Sequence, residues 1–118
     1  DLRKILKKSE DITRKNKKIN VNLAINYGSK NEIINALKKT KKKINLKNFE
    51  KNLYTKGQPN PDILIRTGGH IRLSNFMLWQ LAYSELFFLK KLWPDFNQRD
   101  LLKIINIYKK RVRNFGSI

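Results

Sequence analysis

The chain predicts an α/β fold on a parallel sheet, and three observations carry that prediction. Short β-branched runs alternate with stretches of helical periodicity along all 118 residues. "DILIR", Asp62–Arg66, is apolar enough for a strand covered on both faces, the habit of parallel sheets. Breakers stand at the joints, in "NYGS", "KGQPNP" and "RTGGH". The predicted order is α-β-α-β-α-β-α, and in such a sheet ligands gather beyond the carboxyl ends of the strands.

Each element has its own signal. Leu2, Ile5, Leu6 and Ile12 recur at helical spacing among charges, giving an amphipathic helix that stops near Asn16. "INVNLAINYG" reads as a strand ending at Gly28, and "NEIINALKKT" as the helix after it. Residues 41–61 form a polar connection with a short helix around Leu46 to Leu53. After the strand "DILIR", "SNFMLWQLAYS" is hydrophobic nearly all round and predicts a buried helix, with Ser74 or Asn75 suited to cap its first turn. "ELFFL" makes a third strand and "WPDF" a turn. Gln98 to Arg111 closes the chain as a helix with Leu101, Leu102, Ile105 and Tyr108 inward. No internal repeat or interdomain linker is visible.

Composition narrows the function. Without cysteine there is no disulfide framework, thiol nucleophile or Cys-based zinc site, which fits a reducing, cytoplasmic setting, and a single histidine argues against a His-ligated metal cluster. The apolar stretches are interrupted by Gln80, Glu85 and Lys90 well short of the ~20 residues that cross a bilayer, and "DLRKILKKSED" has no signal-peptide core. The formal charge of +18 invites a nucleic-acid reading. It is discounted, because the 20 lysines, 14 asparagines and 14 isoleucines have the look of A/T-rich codon bias and the lysine runs lie outside the central segment.

The central segment concentrates the chemistry. In "RTGGHIRLSNF", Arg66 leaves a strand end, Gly68 and Gly69 let backbone approach a ligand, and Arg72 and Ser74 lie where a helix would begin, an arrangement suited to a diphosphate. No Gly-Lys-Ser/Thr step is present, so a Walker A loop is excluded. The other reading pairs Arg66 and Arg72 with structural carboxylates around an ordinary turn. Glu85, the one acid inside the apolar run, either meets an arginine or holds a hard cation that bridges to phosphate. On a continuous helix it would stand ~16 Å from Ser74, so the chain must fold back or another subunit must approach.

"PDILIRTGGHIRLSNFMLWQLAYSELFFLKKLWPDF", followed by "RVRNFG", closely resembles the carboxyl-terminal half of the cis-prenyltransferases, the undecaprenyl or decaprenyl diphosphate synthases. "NLAINYGSKNEI" is similar to their preceding Ala-x-x-Asn-Tyr-Gly segment, so the likeness covers nearly the whole chain. The resemblance implies addition of isopentenyl diphosphate, in cis, to an allylic diphosphate such as farnesyl diphosphate, with Mg²⁺. It implies that Arg66, Arg72 and Ser74, with the amide around Leu73, hold the homoallylic diphosphate, that Asn26 is a further substrate contact, and that Glu85 supports the metal. Arg111 and Arg113 resemble terminal arginines that reach the partner's site in a homodimer; alternatively they are a solvated helix end. Phe76, Trp79 and Tyr83 line an apolar tunnel or simply pack the core. A cytoplasmic enzyme in peripheral contact with the membrane, through its lipid product, is the setting implied.

Three departures qualify the likeness. His70 stands where most members have the glutamate of Gly-Gly-Glu, and Ser29-Lys30 stands where they have Gly-Arg. The family's His-x-Met-Asp-Gly-Asn-x-Arg-Trp segment, with the catalytic aspartate, matches nothing in these 118 residues. Residues 1–118 therefore read as the C-terminal part of a single domain, with no catalytic residue of its own, exposed strand edges and apolar faces, marginal stability and no activity alone. The rival readings are a non-catalytic partner subunit of a heteromeric enzyme and a basic nucleic-acid-binding module.

Overall fold

The computed structural model describes residues 1–41 and 43–112. Arg113 lies outside them. Four helices, α1 (Leu2–Thr13), α2 (Ser29–Lys39), α3 (Leu46–Glu50) and α4 (Gln98–Lys109), accompany two strands, β1 (Ile63–Arg66) and β2 (Glu85–Phe88), and a 3-10 turn at Trp93–Asp95. The strands pair in parallel, Ile63 opposite Glu85 and Arg66 opposite Phe88. The α/β class with a parallel sheet is as predicted, and two of the predicted elements are not.

The first correction concerns residues 19–25, predicted as a strand. Ile19, Val21, Leu23 and Ile25 alternate as expected, yet all four are more than half exposed and the segment joins no sheet. A strand is stable only when a neighbour accepts its ladder, so period-2 alternation shows a capacity that pairing must realise. The second concerns 74–84, predicted as a buried helix. Ser74, Asn75 and Met77 have φ of 49°, 62° and 45°, outside the helical well, and the segment runs as successive turns with a single helical i→i−4 bond, Leu81 N to Met77 O at 3.0 Å. Gln80 and Leu81 are buried while Ala82 and Tyr83 face solvent.

The core is small. Ala36 of α2 and Phe49 and Leu53 around α3 are buried together, with Ile33 and Trp79 packed on them. The Trp79 ring meets Phe49 edge-on at 4.5 Å and its Nε1 donates to Glu50 Oε1 at 3.2 Å, so the indole satisfies both its apolar body and its polar tip. The radius of gyration, 16.8 Å, exceeds the ~13 Å of a compact domain of this length. Leu2, Ile5 and Ile12 leave the apolar stripe of α1 open, and α1 has no buried residue. The exposed apolar faces expected from the sequence are therefore present.

Helix α4 is the strut of the sheet. Asn97 and Asp100 form a reciprocal capping box at its start, where Lys91 Nζ bonds Asp100 at 2.7 and 2.9 Å. At its end Tyr108 donates to Asp62 Oδ1 at 2.7 Å and Arg111 Nη1 reaches Glu85 Oε2 at 2.5 Å. Ile104 is its buried residue, with Ile105 and Tyr108 half-buried. Leu101 and Leu102, predicted inward, are exposed; the buried side of the helix is the 104–108 stripe, and among the described residues the sheet has two strands for it to cover. No helix among the described residues is long and apolar enough to cross a membrane.

Candidate functional site

The site begins where β1 ends. Leu89 N–H donates to Arg66 O at 2.8 Å, and the glycine pair then turns back on the exit of β2, Gly68 N–H to Lys91 O at 2.9 Å and Gly69 N–H to Leu89 O at 2.8 Å. Both glycines sit at positive φ, 91° and 78°, where a side chain would be strained. Their amides are consumed by the scaffold, so the close backbone approach that the glycines allow is here made to the exit of β2.

The donors lie further on. Arg66 Nη1 donates to the carbonyl oxygen of Arg72 and, at 2.9 Å, to Ser74 Oγ, so one guanidinium nitrogen closes the loop 66–74 into a ring. Among the described residues Arg66 Nε and Nη2 have no protein acceptor, and no carboxylate pairs with Arg66 or Arg72. The structure thus departs from the reading in which both arginines serve structural acids. Among the described residues the amides of Arg72, Leu73 and Ser74 likewise have no protein acceptor. Loop 66–74 thus brings together two guanidinium groups, three amides and one hydroxyl, a cradle of donors suited to the oxygens of a phosphate group. The Arg66, Arg72, Leu73 and Ser74 singled out in the sequence are therefore adjacent in space.

The loop is strained. Left-handed φ at the non-glycine residues Ser74, Asn75 and Met77 costs on the order of 1–3 kcal/mol each, least for asparagine, and such strain persists only where surroundings over-determine it. The N-terminal turn of α2 supplies those surroundings. Asn75 was expected to cap a helix of its own; it caps α2 instead, its carbonyl accepting from Ser29 N–H at 2.8 Å and its Oδ1 from Lys30 N–H at 2.9 Å. A Cβ on Gly28 would stand 2.9 Å from Asn75 Nδ2, so a side chain there would push the Asn75 amide from its place. In return Ser29 Oγ accepts from Leu78 N–H at 2.9 Å.

Behind this contact lies a buried polar cluster that the sequence reading did not single out. Among the described residues Ser29, Glu32 and Gln80 are the fully buried polar ones, at 0, 1 and 1 % exposure. Glu32 accepts from Tyr27 OH, from Tyr54 N–H at 2.7 Å and from Gln80 Nε2 at 3.2 Å to each oxygen, so its charge is solvated by neutral donors rather than by a cation. Burial, and then the Glu32 carboxylate, push the Tyr27 hydroxyl up to about 12. Gln80 Nε2 also reaches Thr55 Oγ1 at 3.2 Å, which leaves Gln80 Oε1 buried without a partner. Turning the amide would aim that oxygen at the carboxylate, so Glu32 dictates its orientation. The available signal was the glutamate four residues beyond Gly28, in the first turn of a helix whose N-terminus favours negative charge.

The remaining candidates lie apart. Glu85 starts β2 opposite Ile63 while Arg66 ends β1 opposite Phe88, which sets Glu85 about 10 Å back along the sheet from the cradle. Arg111, at the same edge, forms the ion pair with Glu85 and lies over the Phe87 ring at 5.6 Å. In this chain the arginine partner is the structural role Glu85 fills. Among the described residues no group of three or more His, Asp or Glu side chains comes together to hold a metal. Asn26, exposed with φ of 51°, precedes Tyr27, whose ring meets Phe76 edge-on at 5.6 Å. Trp79 belongs to the core, whereas Tyr83 and His70 are exposed. The replacement of glycine by Ser29 has a structural consequence, the buried bond to Leu78.

Comparison with known proteins gives one answer by sequence and by structure. Residues 1–116 match the family model described as putative undecaprenyl diphosphate synthase. Isoprenyl transferases of Fusobacterium nucleatum and Thermotoga maritima are each 46% identical, over 99 and 98% of this chain and 52 and 54% of theirs. A probable undecaprenyl diphosphate synthase of Campylobacter jejuni superposes with TM-score 0.87 at 37% identity, covering 98% of this chain and 56% of that one. Lavandulyl diphosphate synthase of Lavandula x intermedia, solved with dimethylallyl diphosphate, gives 0.91 at 37% identity, covering 98 and 54%. The chain spans about half the length of the relatives it matches. With its sequence matched from residue 1 to 116 and its fold shared with solved synthases, the chain belongs to the undecaprenyl diphosphate synthase family of prenyltransferases.

Proposed function

We propose that the protein adds isopentenyl diphosphate units in cis to an allylic diphosphate such as farnesyl diphosphate, and that residues 66–74 hold the diphosphate of isopentenyl diphosphate. One observation carries this reading. The Arg72 guanidinium and the Arg72, Leu73 and Ser74 amides have no protein acceptor among the described residues, and Arg66 holds the loop that presents them. Arg72 binds the outer phosphate as a fork, the free Nε and Nη2 of Arg66 take the bridging side, and Ser74 donates its hydroxyl while accepting from Arg66. Among the described residues no carboxylate pairs with either arginine.

The anchored diphosphate fixes the position of the isopentenyl double bond, so that attack on the allylic carbon proceeds from a bound geometry as the allylic C–O bond breaks. Mg²⁺, when bound, would offset charge on the diphosphates, drawing most of its oxygen ligands from substrate and water. Glu85 is the carboxylate the family resemblance assigns to it. Since Glu85 lies at the far edge of the sheet, it would serve a cradle only from a second copy, the homodimer arrangement in which Arg111 and Arg113 also reach a partner's site. The cytoplasmic face of the membrane, where a lipid product departs, is the expected location. Residues 1–118 alone are expected to bind isopentenyl diphosphate weakly and to be inactive.

The test is elongation by the full-length protein with labelled isopentenyl diphosphate and farnesyl diphosphate, the products resolved by length and double-bond geometry. Mg²⁺-dependent cis-polyprenyl diphosphate is the expected product; absence of any elongated product overturns the proposal.

A further inference from the structure

We propose that Asn75 is a positioning residue for isopentenyl diphosphate, tethering the anion-binding loop to the N-terminal turn of α2 and so holding Arg72 and Ser74 ready before substrate arrives. The inference rests on the cradle reading and adds to it where the cradle's shape comes from. Asn75 follows Ser74 directly and both occupy left-handed backbone. A free loop of non-glycine residues would relax from that conformation, and two bonds prevent it, Ser29 N–H to Asn75 O and Lys30 N–H to Asn75 Oδ1.

The tether has a rigid anchor. Ser29 is fully buried and returns a bond to Leu78 N–H, while Glu32, one turn along α2, is locked to Gln80 farther down the same loop. Loop 74–80 is thus gripped at three points by one helical turn, whose first two amides, of Ser29 and Lys30, are spent on Asn75. Arg66 grips the other side, through Arg72 O and Ser74 Oγ. Releasing Asn75 frees Ser74 to leave its φ, and the Arg66 contact, with the more distant grips at Leu78 and Gln80, then has to order the donors. The expected cost falls on binding of the diphosphate that uses Ser74 and Arg72, and not on the allylic substrate.

The side chain and the backbone strain are separable by mutation. Asn75→Gly removes the Oδ1 cap while making the left-handed φ costless, and Asn75→Asp keeps an acceptor for Lys30 N–H. In the full-length protein, Asn75→Gly is expected to raise KM for isopentenyl diphosphate roughly tenfold and to leave KM for farnesyl diphosphate within about twofold, with Asn75→Asp within about threefold of wild type for both. A Gly variant with wild-type KM for isopentenyl diphosphate, whatever its melting temperature, overturns the proposal, as does an Asp variant no better than Gly. Amide hydrogen exchange without ligand supplies a readout independent of catalysis. Faster exchange at Ser29, Lys30 and Leu78, the amides hydrogen-bonded across the contact, in Asn75→Gly supports the tether even if the wild type elongates nothing, in which case it is the functional reading that fails; unchanged exchange overturns the tether.

Discussion

Replacing Glu32 by alanine should be among the most damaging single substitutions in this chain. The carboxylate is 1 % exposed and accepts from Tyr27 OH, from Tyr54 N–H and, at both of its oxygens, from Gln80 Nε2. In Glu32→Ala the Tyr54 amide and one Gln80 N–H are left buried with no acceptor, at about 1–3 kcal/mol each, while Gln80 retains Thr55 Oγ1 and the Tyr27 hydroxyl can turn elsewhere. Relief from burying a carboxylate among neutral donors returns part of that, so about 3 kcal/mol net is expected. Glu32→Gln keeps the shape and lets its new amide donate to the orphaned Gln80 Oε1 if that amide turns, which limits the loss to about 1 kcal/mol. Urea denaturation followed by the fluorescence of Trp79, edge-on to Phe49 in the adjoining core, measures both, with the exposed Glu10→Ala as control. A loss below about 1 kcal/mol in Glu32→Ala, with unchanged urea sensitivity, would refute the claim that this buried acceptor organises the fold.

The remaining expectations are narrower. Arg72→Ala should raise KM for isopentenyl diphosphate roughly ten- to hundredfold, since a charge-assisted bond to phosphate is worth about 1.5–3 kcal/mol, with little change in stability because no protein group depends on that guanidinium. Equal kinetics in mutant and wild type would remove Arg72 from the cradle. The Tyr27 hydroxyl is raised from 10.0 to about 12 in the folded state, so its contribution is intact below pH 10 and fades as pH rises through 12. Discounted for partial exposure it amounts to about 1 kcal/mol, and the alkaline fall in stability should be shallower in Tyr27→Phe. Lys91 and the Asn97 amide hold Asp100 below its usual 3.8, so this contribution is present above that value and is lost as pH falls further. Lys91→Met should flatten the acid limb of a stability profile; an identical limb argues that the capping box alone stabilises the charge.

How much was legible in the sequence varies with range. Helices α1, α2, α3 and α4 and strands β1 and β2 were readable because their signals are local: spacing, caps such as Asn97, and breakers around Asp62–Arg66. The cradle residues were readable because all of them lie within nine positions, from Arg66 to Ser74. Residues 19–25 were misread because alternation cannot say whether a neighbouring strand is present, and 74–84 because an apolar run suits a helix or packed turns equally until backbone partners decide. Glu32 went unnoticed because its partners, Tyr54 and Gln80, are 22 and 48 residues away.

By itself the sequence determined the α/β class, the family and a diphosphate-binding composition at Arg66–Ser74, since these depend on residue identity and short spacing. Tertiary structure alone decided that the glycine amides serve the scaffold, that Asn75 caps another element and that Glu85 faces Arg111 at the opposite edge of the sheet. Those outcomes follow from which buried donors and acceptors find each other across long separations in the chain, and a hydrogen bond closed over 45 residues, such as Lys30 to Asn75, leaves no periodicity to read.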